Sequence, residues 1–267
     1  MQPYKKTEPK SPMITIIGDP GMAKTTLACM FPGETFVVRA EDGLESIPLE
    51  YQPDTHDVIE NEGMLWTQLK YLCEADHPYN NVVLDSVSKL ESIFIQSILK
   101  KEASNGKDRS IQTALGGFGA GTAAVASKHL SVRTMLGKIN ARGITVIVIS
   151  HCETEEISPP DGEKYTRWSL KLGKKSIAPY VDDVDMVCFI KLDKFIMQQE
   201  GGMPGKAGKA KDTGTLSIVC NQSAANISKN RYGIKDEIPY PENGTNPLLP
   251  FIPYYAYLFE NTNEAQQ

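Results

Sequence analysis

The stretch Gly18-Asp19-Pro20-Gly21-Met22-Ala23-Lys24-Thr25-Thr26 follows the apolar run Met13 to Ile17 and opens a helix-compatible segment from Lys24 to Met30. It matches the phosphate-loop pattern G-x-x-x-x-G-K-[ST] at every position but one, where Ala23 replaces the second glycine. Backbone N–H groups in such a loop curl around phosphates, and the following helix start adds partial positive charge. Gly18 through Thr26 are therefore the expected nucleotide cradle. Lys24 reaches the β- and γ-phosphates, Thr25 ligates Mg²⁺, and Thr26 is a weaker candidate for an α-phosphate contact. Without the second glycine, a methyl group stands near the phosphates.

Outward from this loop, short apolar runs alternate with helical stretches. The runs are Met13 to Ile17, Thr35 to Arg39, Asn81 to Leu84, Ile144 to Ser150 and Asp185 to Lys191. They are near-continuously apolar, as strands covered on both faces must be. Helices are expected at Lys24 to Met30, Gly63 to Glu74, Val87 to Ala103 and Val125 to Arg142. This alternation predicts an α/β fold: a mostly parallel sheet with helices on both faces. Residues 185–220 read as a C-terminal β-hairpin whose long tip is a flexible Gly/Lys-rich loop at 199–214. The expected organisation is a loose tail over 1–11, one domain over 12–240, and an extension over 241–267 without regular structure.

The chain has 267 residues, 28 basic and 33 acidic, for a net charge of −5. That balance argues against a protein coated in positive charge but leaves room for a local basic groove. The five cysteines are scattered without a CxxC, which reads as reduced thiols and not as a zinc site or disulfide framework. No apolar run approaches the ~20 residues a membrane helix needs, and the N-terminus lacks the apolar core of a signal peptide. A cytoplasmic protein without a membrane partner is expected.

A phosphate loop needs a carboxylate for Mg²⁺ at a strand end. Asn81-Val82-Val83-Leu84-Asp85-Ser86 supplies Asp85; its alternative role is capping the next helix. Hydrolysis also needs a group that positions or deprotonates water. The residue after Asp85 is Ser86, so that group comes from elsewhere. Glu41, closing the strand Phe36 to Ala40, lies on the same carboxyl edge and is the favoured base, with Asp42 second.

Ala40-Glu41, Asp85-Ser86 and the early phosphate loop together resemble the RecA/RadA recombinase core. That resemblance implies further roles. His151, ending the strand Ile144 to Ser150, matches a family position that senses the γ-phosphate. Lys229-Asn230-Arg231-Tyr232-Gly233 resembles the family's K-N-R-F-G element, whose Lys and Arg reach the neighbouring subunit's nucleotide. The pattern over residues 12–240 is also similar to the small phage-encoded RecA-like ATPases of single-strand annealing and recombination. A phage protein in a bacterial cytoplasm, or a bacterial cytosolic protein, is the implied setting.

The resemblance implies ATP and Mg²⁺ as cofactors and a head-to-tail homo-oligomer, ring or filament, that binds single-stranded DNA. A single-strand-binding protein is a further implied partner. Two loops would face the DNA: 104–122, with Lys107, Arg109 and Gly116, Gly117, Gly119 and Gly121, and 152–175, with Lys164, Arg167, Trp168, Lys171, Lys174 and Lys175. Cations with an interleaved aromatic suit phosphate contact plus base stacking. Lys206, Lys209 and Lys211 add a third basic segment. Two other readings stand beside this one. An AAA+-type helicase loader lacks its usual Glu after Asp85. A non-hydrolysing annealing module would use nucleotide only to shape the oligomer.

Overall fold

A computed structural model describes residues 8–106, 109–197, 209–241 and 244–264. Among these residues ten strands form the sheet: β1 (Met13–Gly18), β2 (Thr35–Arg39), β3 (Asp54–Thr55), β4 (Asn81–Asp85), β5 (Thr145–Ile157), β6 (Tyr165–Leu170), β7 (Met186–Met197), β8 (Lys209–Val219), β9 (Lys229–Asn230) and β10 (Ile238–Pro239). The central path runs β10-β8-β7-β1-β5-β4-β2-β3. The segment from β7 through β3 is parallel; β8, β9 and β10 pair antiparallel on the far side. The sheet is thus mostly parallel, with a C-terminal hairpin, as the alternating pattern predicts.

Strand side chains alternate between two apolar layers because successive Cβ atoms point to opposite faces. Met13, Ile17, Val82, Leu84, Val146 and Val148 face helices α2 (Glu62–Glu74), α3 (Val87–Ser104), α4 (Ala120–Asn140) and α5 (Ala178–Val181). Ile14, Ile16, Val83, Ile147 and Ile149 face α1 (Lys24–Cys29) and the C-terminal residues Leu248, Leu249, Ile252 and Tyr255. Both faces are covered, which explains why the strands read as continuous apolar runs.

Several expectations are corrected. The 152–175 segment is not a loop: β5 continues to Ile157 and returns antiparallel as β6, with Cys152 opposite Leu170 and Ile157 opposite Tyr165. Helix α4 begins at Ala120. The 199–214 segment is partly strand, since β8 starts at Lys209, while residues 198–208, including Lys206, lie outside the described residues. The C-terminal extension carries helix α6 (Pro253–Glu264). It is anchored where Tyr255 meets the Thr145 hydroxyl at 2.7 Å and where Asn246 donates to the Leu27 carbonyl at 3.1 Å. An apolar sheet face needs a cover, and this segment supplies it. At the other end Ser11 is buried and hydrogen-bonded to Asn140, so the tail is pinned by that point.

Candidate active site

The carboxyl ends of β1, β2 and β4 converge with the middle of β5, at His151, on one edge. The register makes this unavoidable: Gly18 pairs with His151 across β1 and β5, and Arg39 with Asp85 across β2 and β4. Gly18 is glycine for a local reason. A Cβ there would stand 3.0 Å from the Ile190 carbonyl oxygen. Ala23 adopts φ 48°, ψ 31°. This left-handed conformation is the one glycine takes most easily. The alanine therefore holds the loop in a glycine-type shape, at a cost of about 1 kcal/mol. The Ala23 carbonyl also accepts a 2.8 Å hydrogen bond from the Tyr240 hydroxyl, so the C-terminal segment braces the loop.

Lys24 is nearly buried, and its Nζ donates to the Asp19 carbonyl at 2.8 Å. Burial lowers its pKa, against the opposing pull of Asp85, Cys152, Glu41 and Asp19. An ammonium so placed gains from a polyanionic ligand. Thr25 Oγ1 donates to Asp85 Oδ2 at 2.6 Å. Burial raises the Asp85 pKa, opposed by the Thr25 hydrogen bond. A desolvated carboxylate beside a hydroxyl is a hard-oxygen pair that fits Mg²⁺, which takes one or two carboxylates plus phosphate oxygens and water. Thr25 and Asp85 would hold that ion, and when bound it would neutralise charge on the phosphates. The helix-capping role falls instead to Ser86, whose side chain accepts from the Lys89 amide.

Glu41 stands next to this pair. Its carboxylate accepts from Ser86 Oγ and lies 3.0 Å from His151 Nε2. The His151 hydrogen bond is the leading cause that holds its pKa down to about 2, with Ser86 and Lys24 assisting against burial. The group is therefore an anion at neutral pH, suited to orienting a water molecule. Asp42, the second candidate, points to solvent and pairs with Arg39 at 3.0 Å. His151 Nδ1 is buried and has no hydrogen-bond partner among the described residues.

Three contributors escaped the sequence reading. Ser86, notable there only for not being Glu, is the hydroxyl that orients Glu41. Cys152 donates its thiol to Asp19 Oδ1 at 3.1 Å. Tyr240 braces Ala23. Of these, only the adjacency of Ser86 to Asp85 gave a sequence signal.

Lys229 and Arg231 sit elsewhere. β9 pairs with the start of β7, and Arg231 Nη1 meets Asp185 Oδ1 at 2.9 Å. Asp185 in turn bonds Met13 at the amino end of β1. Lys229 Nζ donates to the carbonyls of Val181 and Asp182. Both cations therefore lie at the sheet edge opposite the chain's own phosphate loop.

Half of the described cations in the expected basic groove are neutralised. Arg167 pairs with Glu155 at 2.6 Å and Lys164 with Glu156 at 2.9 Å. The hairpin segment 153–167 carries five acidic residues against two basic ones. Arg109 lies 3.8 Å from Glu102 and donates to the Thr113 carbonyl. Lys107 lies outside the described residues. Trp168 stacks on Phe189, ring centroids 6.2 Å apart, and lines a cavity of about 1030 Å³ that Asp19 and Met22 also border. Lys171 sits beside the site through its amide, which donates to the His151 carbonyl at 2.9 Å. Among the described residues, no carboxylate pairs with Lys171, Lys174 or Lys175. No helix among them is long and apolar enough to cross a membrane.

A parallel sheet, a phosphate loop on its central strand, and a Thr–Asp pair with a neighbouring Glu on one edge define a P-loop nucleotide-binding domain. Residues 10–232 match the AAA_24 family, described as an AAA domain, and the chain belongs to that family of P-loop ATPases. No curated protein matches the chain. Among the solved structures similar to it is the flagellar accessory protein FlaH from Methanocaldococcus jannaschii. It is 13% identical, with 90% of this chain and 89% of that chain covered and a TM-score of 0.42.

Proposed function

We propose that this protein hydrolyses ATP with Mg²⁺ and binds single-stranded DNA as a head-to-tail oligomer, in recombination or strand annealing. The observation that carries the ATPase reading is Glu41, held by Ser86 and His151 beside the Thr25–Asp85 pair. Glu41 orients the attacking water. Lys24 would take charge on the phosphates, Thr25 and Asp85 would hold a Mg²⁺ that adds to this neutralisation when bound, and His151 would answer to the γ-phosphate. If His151 turns toward that phosphate, Glu41 loses its main stabilising partner and becomes a stronger base. Catalysis would then wait for bound triphosphate.

Lys229 and Arg231 support assembly, because from the opposite sheet edge they can reach only a neighbour's nucleotide. Cations delivered in that way stabilise charge developing in phosphoryl transfer. Lys171, Lys174 and Lys175, which pair with no carboxylate among the described residues, support contact with a phosphate backbone. A helicase-loader ATPase is the second reading, favoured by the AAA description of the family. The decisive experiment is ATP turnover with and without single-stranded DNA, using Lys24→Ala as control. Lys24-dependent turnover raised by DNA supports the proposal. Turnover that is absent in both conditions leaves a non-hydrolysing module.

A further inference from the structure

The connection between α3 and α4 carries an unusual run of backbone. Leu115, Gly116, Gly117, Phe118 and Gly119 have φ of 57°, 95°, 78°, 51° and 79°. Three of the five are glycines, for which this is cheap; Leu115 and Phe118 are not, and such strain persists only where surrounding structure enforces it. Here it does. The Gly117 amide bonds the Ala114 carbonyl, Ala120 bonds Gly117, and Ala123 bonds Gly119. Gly121 packs so closely on Ile111 that a Cβ would fall 2.1 Å from its carbonyl oxygen. The result is a hydrogen-bonded turn that holds the Phe118 ring fully in solvent, at 108% relative exposure.

A lone exposed ring is ordinary on a protein surface, but one set outward by two non-glycine residues held in the left-handed region points to a use for that shape. The surroundings indicate which. Lys175 Nζ lies 3.8 Å from where a Cβ on Gly119 would stand, so an ammonium with no carboxylate partner among the described residues sits beside the ring's own turn. Among the described residues Lys174 likewise pairs with no carboxylate, although it borders a cavity lined by Glu153, Glu155 and Glu156. The first turn of α4 contains no acidic residue. Leu115 is the only large apolar neighbour in this turn with comparable exposure, at 48%. One ring and half a leucine fall far short of the ~800 Å² per partner of a stable protein interface. An exposed ring with an ammonium beside its turn is a unit that can grip a nucleotide in a strand, with base on ring and phosphate on ammonium.

We propose that Phe118 is a base-stacking residue for single-stranded DNA and that Lys175 contacts the adjacent phosphate. This inference rests on the single-stranded DNA part of the proposed function and names where and how the strand is held.

The test is fluorescence anisotropy of the full-length protein with a labelled oligo(dT) and with an abasic oligonucleotide of equal length. Binding of a fluorescent ATP analogue serves as the folding control. Phe118→Ala should weaken oligo(dT) binding about 5- to 150-fold and leave abasic binding and nucleotide binding unchanged. Phe118→Trp should keep the affinity, with its emission quenched by DNA. Lys175→Gln should reduce the salt slope by about one while preserving the preference for oligo(dT) over the abasic strand. Wild-type-like oligo(dT) binding by Phe118→Ala overturns the inference. So does equal binding of the two oligonucleotides by the wild type, or a Phe118→Ala defect confined to self-association. If the wild type binds neither oligonucleotide with any nucleotide present, the DNA part of the proposed function fails, and this inference fails with it.

Discussion

The Glu41 carboxylate lies 3.0 Å from Nε2 of His151, across a sequence separation of 110 residues. This contact joins the end of β2 to the middle of β5 on the edge where the phosphate loop opens. It ties the group proposed to orient water to the group proposed to sense the γ-phosphate. Both kinetic and pH consequences follow from it.

Glu41→Gln should lower ATP turnover by about 100-fold or more, the range of a lost acid–base or positioning group. ATP binding should be nearly unchanged, since Lys24, Thr25 and Asp85 remain. Ser86→Ala, which removes one of the two groups that hold Glu41, should cost about 10-fold. Single-turnover kinetics beside equilibrium nucleotide binding separates the effects. Unchanged turnover in Glu41→Gln would remove Glu41 from the mechanism.

Arg231→Ala should abolish hydrolysis while sparing nucleotide affinity. A mixture of Arg231→Ala and Lys24→Ala protomers should regain part of the activity, because some interfaces then pair an intact phosphate loop with an intact arginine. If mixing restores nothing while each variant still assembles, the arginine does not act across subunits.

Ala23→Gly should relieve the left-handed strain and raise stability by up to about 1 kcal/mol, offset in part by the greater freedom of glycine in the unfolded chain. ATP affinity should rise or stay level as the methyl group leaves the loop. Thermal unfolding and nucleotide titration measure the two effects. A marked loss of stability would show that the methyl group packs favourably.

His129 is fully buried between Tyr180, whose hydroxyl is 2.8 Å from Nδ1, and the Phe94 ring. Burial depresses its pKa from 6.5 to about 4. Below pH 6.5 the unfolded chain binds a proton that the folded chain refuses. Stability should therefore fall as the pH drops from 6.5 to about 4, by at most about 3 kcal/mol. Denaturant unfolding across that range should show the slope, and His129→Gln should flatten it. Glu41 acts lower on the scale. Its pKa is depressed to about 2, so its stabilising contribution is present above pH ~4.5 and is lost as the pH falls toward 2.

Much of this site is legible in the linear chain, for a physical reason. A phosphate loop is a local object: strand, turn and helix are contiguous, so Gly18 through Thr26 carry their own geometry. Parallel strands all end on one edge, which places Asp85 and Glu41 near Thr25 before any coordinates are known. The burial of both sheet faces is likewise written in the unbroken apolar runs. Contacts between distant segments depend on register, side-chain direction and charge partners, and these have no linear signature. Ser86 turning to Glu41, Tyr240 reaching Ala23 and Arg231 resting on Asp185 belong to that class. So do the glutamates of β5 that neutralise Lys164 and Arg167, which the chain displays only as cations near an aromatic. The turn that exposes Phe118 is intermediate: its glycines are visible in the chain, but only the fold around them sets the ring outside the core.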